Sequence, residues 1–282
     1  MTRTDTRVGL VTAAAGKIGG AVVQALLARE IVDHVVMVDV VEPTPVPGTS
    51  SVVGDLRAPT FSQRLADGLD RDLSVLVNVL GGERRPAVAE VEDVAWPPVE
   101  VWDDIVELNL GTAYRTTRAL NPHLAAGAAI CNVSSIAATM PWVVSPAYGA
   151  AKAALEHWSG SLATHLADRG IRVNGVRPGF VWSEQWASID REEFDEVVGD
   201  RVPLRQVARP SSRGGAAGSW PAAGPAHGAE QGSVTLQAEP SREQGAADVA
   251  AVVAFLCSDA ALHLTGQMLN VDGGAALVRA SR

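Results

Sequence analysis

Seven short apolar runs, most of them closing on Gly, Asp or Ser, alternate along this chain with stretches whose apolar spacing suits helices. They are "RVGLVT" (7–12), "HVVMVDV" (34–40), "SSVVGD" (50–55), "LSVLVNVLGG" (73–82), "AAICNVSS" (128–135), "IRVNGVRPG" (171–179) and "GQMLNVDGG" (266–274). A strand, a turn, a helix and a second strand within about 30 residues make the βαβ unit of a parallel sheet. Repeated to seven strands, the pattern predicts an α/β fold: a doubly wound parallel sheet with helices on both faces and crevices at the carboxyl ends of its strands.

One stretch breaks the rhythm. Across residues 210–245, Gly, Ala, Pro and Ser fill 23 of 36 positions and no period is sustained, so it reads as an insertion, either a lid over the crevice or a surface loop. Within it "SVTLQAE" suits a short strand. With 282 residues, 47% of them hydrophobic, the rest supports one well-buried domain spanning 1–282.

A formal charge of -9 argues against nucleic acid or an anionic membrane as partner. Cys131 and Cys257 sit in apolar runs and read as small buried thiols, with no bridge and no metal site. No stretch offers the roughly 18 apolar residues of a membrane span, so the chain is expected to be soluble and cytoplasmic. Of 23 basic residues only Lys17 and Lys152 are lysines. Lysine is a compact ammonium that arginine does not replace, so both positions are candidates for chemistry.

Lys17 lies in "TAAAGKIGG" (12–20), between the first strand and the first helix. Thr12, Ala13, Gly16 and Gly19 make a glycine-poor form of a turn whose free amides hold a pyrophosphate at a helix start. Ala13 fits wherever φ is negative, and Lys17 offers an ammonium to a phosphate oxygen. Asp39 ends the second strand 20 residues after Gly19, the separation at which a carboxylate accepts hydrogen bonds from an adenosine ribose. It also repels a 2'-phosphate, which favours NAD over NADP. Further on, Tyr148 and Lys152 stand four apart and share one helix face. An ammonium beside a phenol lowers its pKa, giving a proton donor and acceptor. Ser135, 13 residues earlier at a strand end, supplies a hydroxyl for a substrate oxygen, and Asn109 adds an amide to an apolar helix face.

With these residues assembled, the chain resembles the short-chain dehydrogenase/reductase family throughout, outside 210–245. The family's glycine turn matches "TAAAGKIG" (Thr12 to Gly19, with Ile18), its adenine-contacting pair Asp55 and Leu56, and its N-N-A-G motif "NVLG" from Asn78 to Gly81. Its tetrad matches Asn109, Ser135, Tyr148 and Lys152, and "PGFVWS" matches its P-G-x-V-x-T segment. Ala13 and Lys17 replace family glycines, and Val79 and Leu80 replace Asn and Ala, which removes an amide that braces the central strands.

The resemblance implies a Rossmann-type fold and an NAD(P)-dependent oxidoreductase interconverting a secondary alcohol and a ketone. Tyr148 is then the general acid and base, Ser135 holds the oxygen, Lys152 lowers the tyrosine pKa and bonds the nicotinamide ribose, and Asn109 positions a water. Pro178, Gly179, Val181 and Ser183 are expected at the nicotinamide, and the assembly is expected to be a homo-oligomer, dimer or tetramer. Ile136, Met140, Phe180, Trp142, Trp182 and Trp186 suggest an apolar, cyclic or aromatic small-molecule substrate. Glu83, Arg84 and Arg85 follow the fourth strand and read first as a solvated charge cluster, with contact to a polar or acidic substituent of the substrate as the alternative. Two alternatives stay open: a non-redox, lyase-like relative, and a nucleotide-sensing scaffold.

Overall fold

The computed structural model describes residues 6–83, 93, 95–141, 144–182, 192, 194, 198, 201–204 and 245–278. Its strands are β1 (Val8–Thr12), β2 (His34–Asp39), β3 (Thr49–Val53), β4 (Leu73–Asn78), β5 (Leu124–Val133), β6 (Arg172–Pro178) and β7 (Met268–Val271). They form one parallel sheet in the order β3-β2-β1-β4-β5-β6-β7. All seven expected strands are present. The order reverses between β1 and β4, so the crevice at a topological switch point opens where those two strands end.

β1 and β4 to β6 are buried along most of their length because the sheet is covered on both faces. Alternate residues feed two cores. Val11, Met37, Val77 and Cys131 face helices α1 (Lys17–Ala28) and α6 (Ala246–Cys257). Leu10, Val38, Leu76 and Ile130 face the layer of α2 (Phe61–Asp67), α4 (Thr112–Leu120) and α5 (Pro146–Leu166). The two cysteines are free and buried in the first core.

The long helix expected around "WDDIVELNLGTAYRTTRAL" is continuous but not uniform. α3 (Val99–Val106) and α4 are joined by a single π-helical turn, Glu107–Gly111, which contains Asn109. Such turns insert one extra residue into a helix and re-aim its neighbours. Residues 210–244, with "SVTLQAE", lie outside the described residues, as do Arg84, Arg85, Trp142, Ser183 and Trp186. Among the described residues no helix is long and apolar enough to cross a membrane.

Candidate active site

At the carboxyl ends of β1, β4, β5 and β6 lies a cleft of about 240 Å³. Gly16, Lys17, Ile18 and Gly19 line one side, and Ser135, Tyr148 and Lys152 another. Gly81, Pro178, Gly179 and Val181 also reach it. Thus elements far apart in sequence deliver the predicted turn and three of the four tetrad members to one cavity.

The turn departs from expectation at Ala13, whose φ is 51°, in the left-handed region. The negative φ that would have made alanine harmless is absent, and the methyl costs about 1–2 kcal/mol there. Gly19 explains why the turn tolerates this. A Cβ on Gly19 would lie 2.0 Å from the Ala13 carbonyl oxygen, so this glycine alone permits the crossing of the two segments. α1 begins at Lys17 with Gly16 as N-cap and no side chain capping it. Its first amides therefore remain available for an anion. Asp39 braces the turn by accepting the Ala15 N–H at 2.9 Å, while its other oxygen accepts the Val40 N–H at 2.6 Å. The Lys17 ammonium stands 6.0 Å from the centre of the Trp182 ring.

Asp55 forms a two-point ion pair with Arg57, and Leu56 is buried in the second core, so the side chains of this pair lie outside the enclosed cleft. The Asn78 side chain, expected at the cofactor, is a correction. Its amide nitrogen donates to Asn132 at 2.8 Å and Thr117 at 3.0 Å, inside the core. Asn132 in turn donates to Ser159. This chain of amides and hydroxyls braces the central strands despite Val79, whose N–H, like that of Leu80, is accepted by the Thr12 hydroxyl at 2.9 Å and 3.2 Å respectively.

The tetrad is held side chain by side chain. Asn109 is fully buried in the π turn, where its amide donates to the carbonyls of Gly82 and Ile105, both at 2.8 Å, and accepts the Gly82 N–H at 2.9 Å. Its side chain thereby anchors the Gly81–Gly82 turn, both of its N–H groups being engaged. Gly81 has no room for a side chain, since a Cβ would lie 2.6 Å from both the Asn109 Oδ1 and the Lys152 Nζ. Lys152 is 2% exposed and donates to the Val133 carbonyl at 2.9 Å, with its Nζ 5.8 Å from the Tyr148 ring centre.

Burial lowers the Lys152 pKa to about 8, and Glu156 one turn along works against that. Tyr148 behaves differently from expectation. Desolvation pushes its phenol up to about 12, the neighbouring Ser135 hydroxyl works against this, and the Glu83 charge adds to it. The resting tyrosine is therefore a proton donor.

One carboxylate, Glu156, escaped the sequence reading, and a second, Glu83, was read first as solvated. Glu156 accepts the Ser134 hydroxyl at 2.7 Å and is clasped by Arg177 through Nε at 2.7 Å and Nη2 at 2.6 Å. One carboxylate thus joins the strand end carrying Ser135, the helix carrying Lys152, and β6 just before Pro178. Glu83 is 8% exposed and lines the cleft, so it does not belong to a solvated charge cluster. A carboxylate placed one turn beyond Lys152 was a readable signal for the first; for the second the readable signal was its place just after the fourth strand.

Of the apolar substrate-side residues, Ile136 and Phe180 line the cleft, whereas Met140 packs with Phe194 and Val198 behind it, and Trp182 stacks edge-on against Phe194 at 5.0 Å.

Comparison with known proteins agrees with this geometry. Residues 37–218 match the family model described as enoyl-(acyl carrier protein) reductase. An uncharacterised oxidoreductase of Schizosaccharomyces pombe is 30% identical over 95% of this chain and 90% of its own length. The 3-oxoacyl-[acyl-carrier-protein] reductase FabG of Salmonella typhimurium is 27% identical over 96% and 98%. A crystal structure of a short-chain dehydrogenase/reductase family oxidoreductase from Burkholderia thailandensis superposes with a TM-score of 0.74 at 28% identity, covering 98% of this chain and 95% of that one. The chain therefore belongs to the short-chain dehydrogenase/reductase family, oxidoreductases acting on CH–OH and C=O groups.

Proposed function

We propose that the protein interconverts a secondary alcohol and a ketone on an apolar, cyclic or aromatic small molecule, using a nicotinamide dinucleotide. The observation that carries this is the Tyr148 phenol, gathered with Ser135 and the buried Lys152 into the same cleft as the uncapped start of α1. The cleft fits the dinucleotide where backbone must approach closely. Gly19 and Gly81 leave no space for a Cβ, and the first amides of α1 suit a pyrophosphate. Gly16, Lys17, Ile18 and Gly19 would hold that group, with Gly179, Val181 and Ser183 toward the nicotinamide and Asp55 and Leu56 toward the adenine. The Asp39 carboxylate, fixed at the end of β2, disfavours a 2'-phosphate and so favours NAD over NADP.

When bound, the dinucleotide gives a hydride to the substrate carbon or takes one from it. The chain's own work is on the oxygen. In reduction Tyr148 Oη donates its proton to the substrate oxygen; in oxidation the phenolate removes it. The Ser135 hydroxyl holds that oxygen, and the Lys152 ammonium stabilises the phenolate. Asn109 keeps Gly81 against Lys152, so the two do not drift apart.

Tyr148→Phe tests the reading most directly. General acid–base catalysis contributes roughly 10²–10⁴-fold, so turnover falls by that range while calorimetry records unchanged dinucleotide binding. Retained turnover overturns the assignment, and absence of binding by both NAD and NADP favours a scaffold. Lys17→Ala weakens NAD binding several-fold if the ammonium meets a phosphate. We also read the protein as one cytoplasmic domain that pairs into dimers or tetramers, through the apolar groove of Val106, Leu110, Tyr114 and Trp158 on α3 to α5.

A further inference from the structure

β7 ends at Val271, opposite Pro178 of β6, and the chain leaves it through a tight turn at residues 272–274. The residues dictate its shape. Gly273 and Gly274 take φ of 60° and 88°, a region closed to most side chains, and the Asp272 carboxylate, 6% exposed, accepts the N–H of Gly274 at 3.0 Å and of Ala276 at 2.8 Å. Two segments are fastened to this turn. The Val271 carbonyl accepts the Gly179 N–H at 2.9 Å, and the Gly273 carbonyl accepts the Leu204 N–H at 3.1 Å.

The second fastening is a close fit as well as a hydrogen bond. A Cβ on Gly273 would lie 2.5 Å from the Val202 Cγ1, so the bare Cα is the seat of that side chain. Val202 is 2% exposed and belongs to one apolar cluster with Ala275, Phe194, Val198, Ile136 and Phe180. Ile136 and Phe180 line the cleft; Gly273 is not among the described residues that do. A close-packed interior has little empty space to take up a displaced methyl, so Val202 moves its neighbours when it moves. The turn thus reaches the apolar wall of the cleft from behind, through Val202.

We propose that Gly273 is a positioning residue for the substrate: it seats Val202 and with it the cluster behind Ile136 and Phe180, and so sets the bulk of the alcohol or ketone that the apolar side of the cleft accepts. The kinetic part of the test rests on the oxidoreductase reading above; the placement does not. The full chain is compared with Gly273→Ala, Val202→Ala and the double variant by hydrogen exchange and mass spectrometry. In Gly273→Ala the amides of residues 136–140 and 179–182 exchange roughly tenfold faster, while those of β1 and α1 keep their protection. The double variant, with Cγ1 gone, recovers most of that protection although the strain of alanine at the left-handed position remains. With NAD and NADP and secondary alcohols of rising bulk, cyclohexanol, 1-indanol and 1-tetralol, Gly273→Ala lowers kcat/KM for 1-tetralol relative to cyclohexanol roughly tenfold, through KM, and Val202→Ala raises the same ratio.

Unchanged exchange at 136–140 and 179–182 overturns the proposal, as does faster exchange that the double variant leaves in place or that spreads through β1 and α1. So does a loss shared equally by the three alcohols or carried by kcat, an outcome that leaves the redox reading standing. Should Gly273→Ala not fold, Val202→Ala decides alone: a larger 1-tetralol to cyclohexanol ratio supports the seat, and an unchanged ratio overturns it. Where the wild-type protein turns over none of the three, the exchange pattern supports or overturns the placement, and dinucleotide binding tells whether the redox reading falls.

Discussion

The two sides of the cleft are built by different means. On the tetrad side the groups around Tyr148 are tied through side chains: Lys152 to the Val133 carbonyl, Ser134 to Glu156, Glu156 to Arg177, Asn109 to the Gly82 backbone. On the turn side, from Ala13 to Gly19, the shape is backbone, with Asp39 on the Ala15 N–H as the outside brace. A proton relay needs particular chemical groups at particular points. A phosphate cradle needs only a path for the chain and room beside it, which several sequences provide.

The strongest way to break that comparison is at Gly19. Alanine there puts its methyl on the Ala13 carbonyl, 2.0 Å away, and backbone must move. We expect Gly19→Ala to weaken dinucleotide binding on the order of 100-fold, about 2.7 kcal/mol, by calorimetry. Gly16→Ala is the control. Its Cβ would stand 3.3 Å from the same oxygen at a φ of -73°, so affinity changes only a few-fold. Equal losses at both positions would mean that the cradle depends on more than the one crossing.

The tetrad side is sharpened by pH. Lys152 sits at about 8, so its ammonium, and with it the stabilisation of phenolate, is lost as pH rises through that value. Ketone reduction therefore declines above about pH 8, even though Tyr148, near 12, still holds its proton. In Glu156→Gln the upward pull on Lys152 disappears and the alkaline limb of kcat moves to lower pH. Arg177 also loses its ionic partner, at a cost of about 2–3 kcal/mol in denaturant unfolding for this partly buried pair. Stability has its own pH signature. Between about 8 and 10.5 the unfolded chain binds the Lys152 proton and the folded chain does not, so this group's contribution rises with pH; Tyr148 reverses it between 10 and about 12. A limb that stays in place in Glu156→Gln would reduce Glu156 to a structural brace.

The sequence was legible where chemistry restricts residue identity. Ser135, Tyr148 and Lys152 were found from type and spacing, and the seven strands from apolar runs flanked by turn residues. It was misleading where only tertiary packing decides. Asn78 looks like a cofactor residue, yet register pairs it with Asn132 in the core. Glu83 looks solvated beside two arginines, yet the chain turns it toward the start of α5. Asn109 was identified, but its π turn was not, because one extra residue in a helical run leaves the apolar period nearly intact. Ala13 shows the opposite limit: its identity was noticed at once, while its φ belongs to the folded chain alone.

That residue offers the smallest effect. Ala13→Gly removes the left-handed penalty of roughly 1–2 kcal/mol. It also gives the unfolded chain more freedom, which costs roughly 0.4–1 kcal/mol. The balance is a gain of about 0.5–1 kcal/mol, or about 1–3 °C in thermal unfolding for a chain of this size. The turn keeps its path, because the carbonyl that Gly19 must clear belongs to the backbone and stays in place. Dinucleotide affinity therefore changes little while stability rises. A fall in stability would mean that the Ala13 methyl, which borders the cleft, makes contacts worth more than its strain, and the turn would then owe part of its shape to a side chain, as the tetrad does.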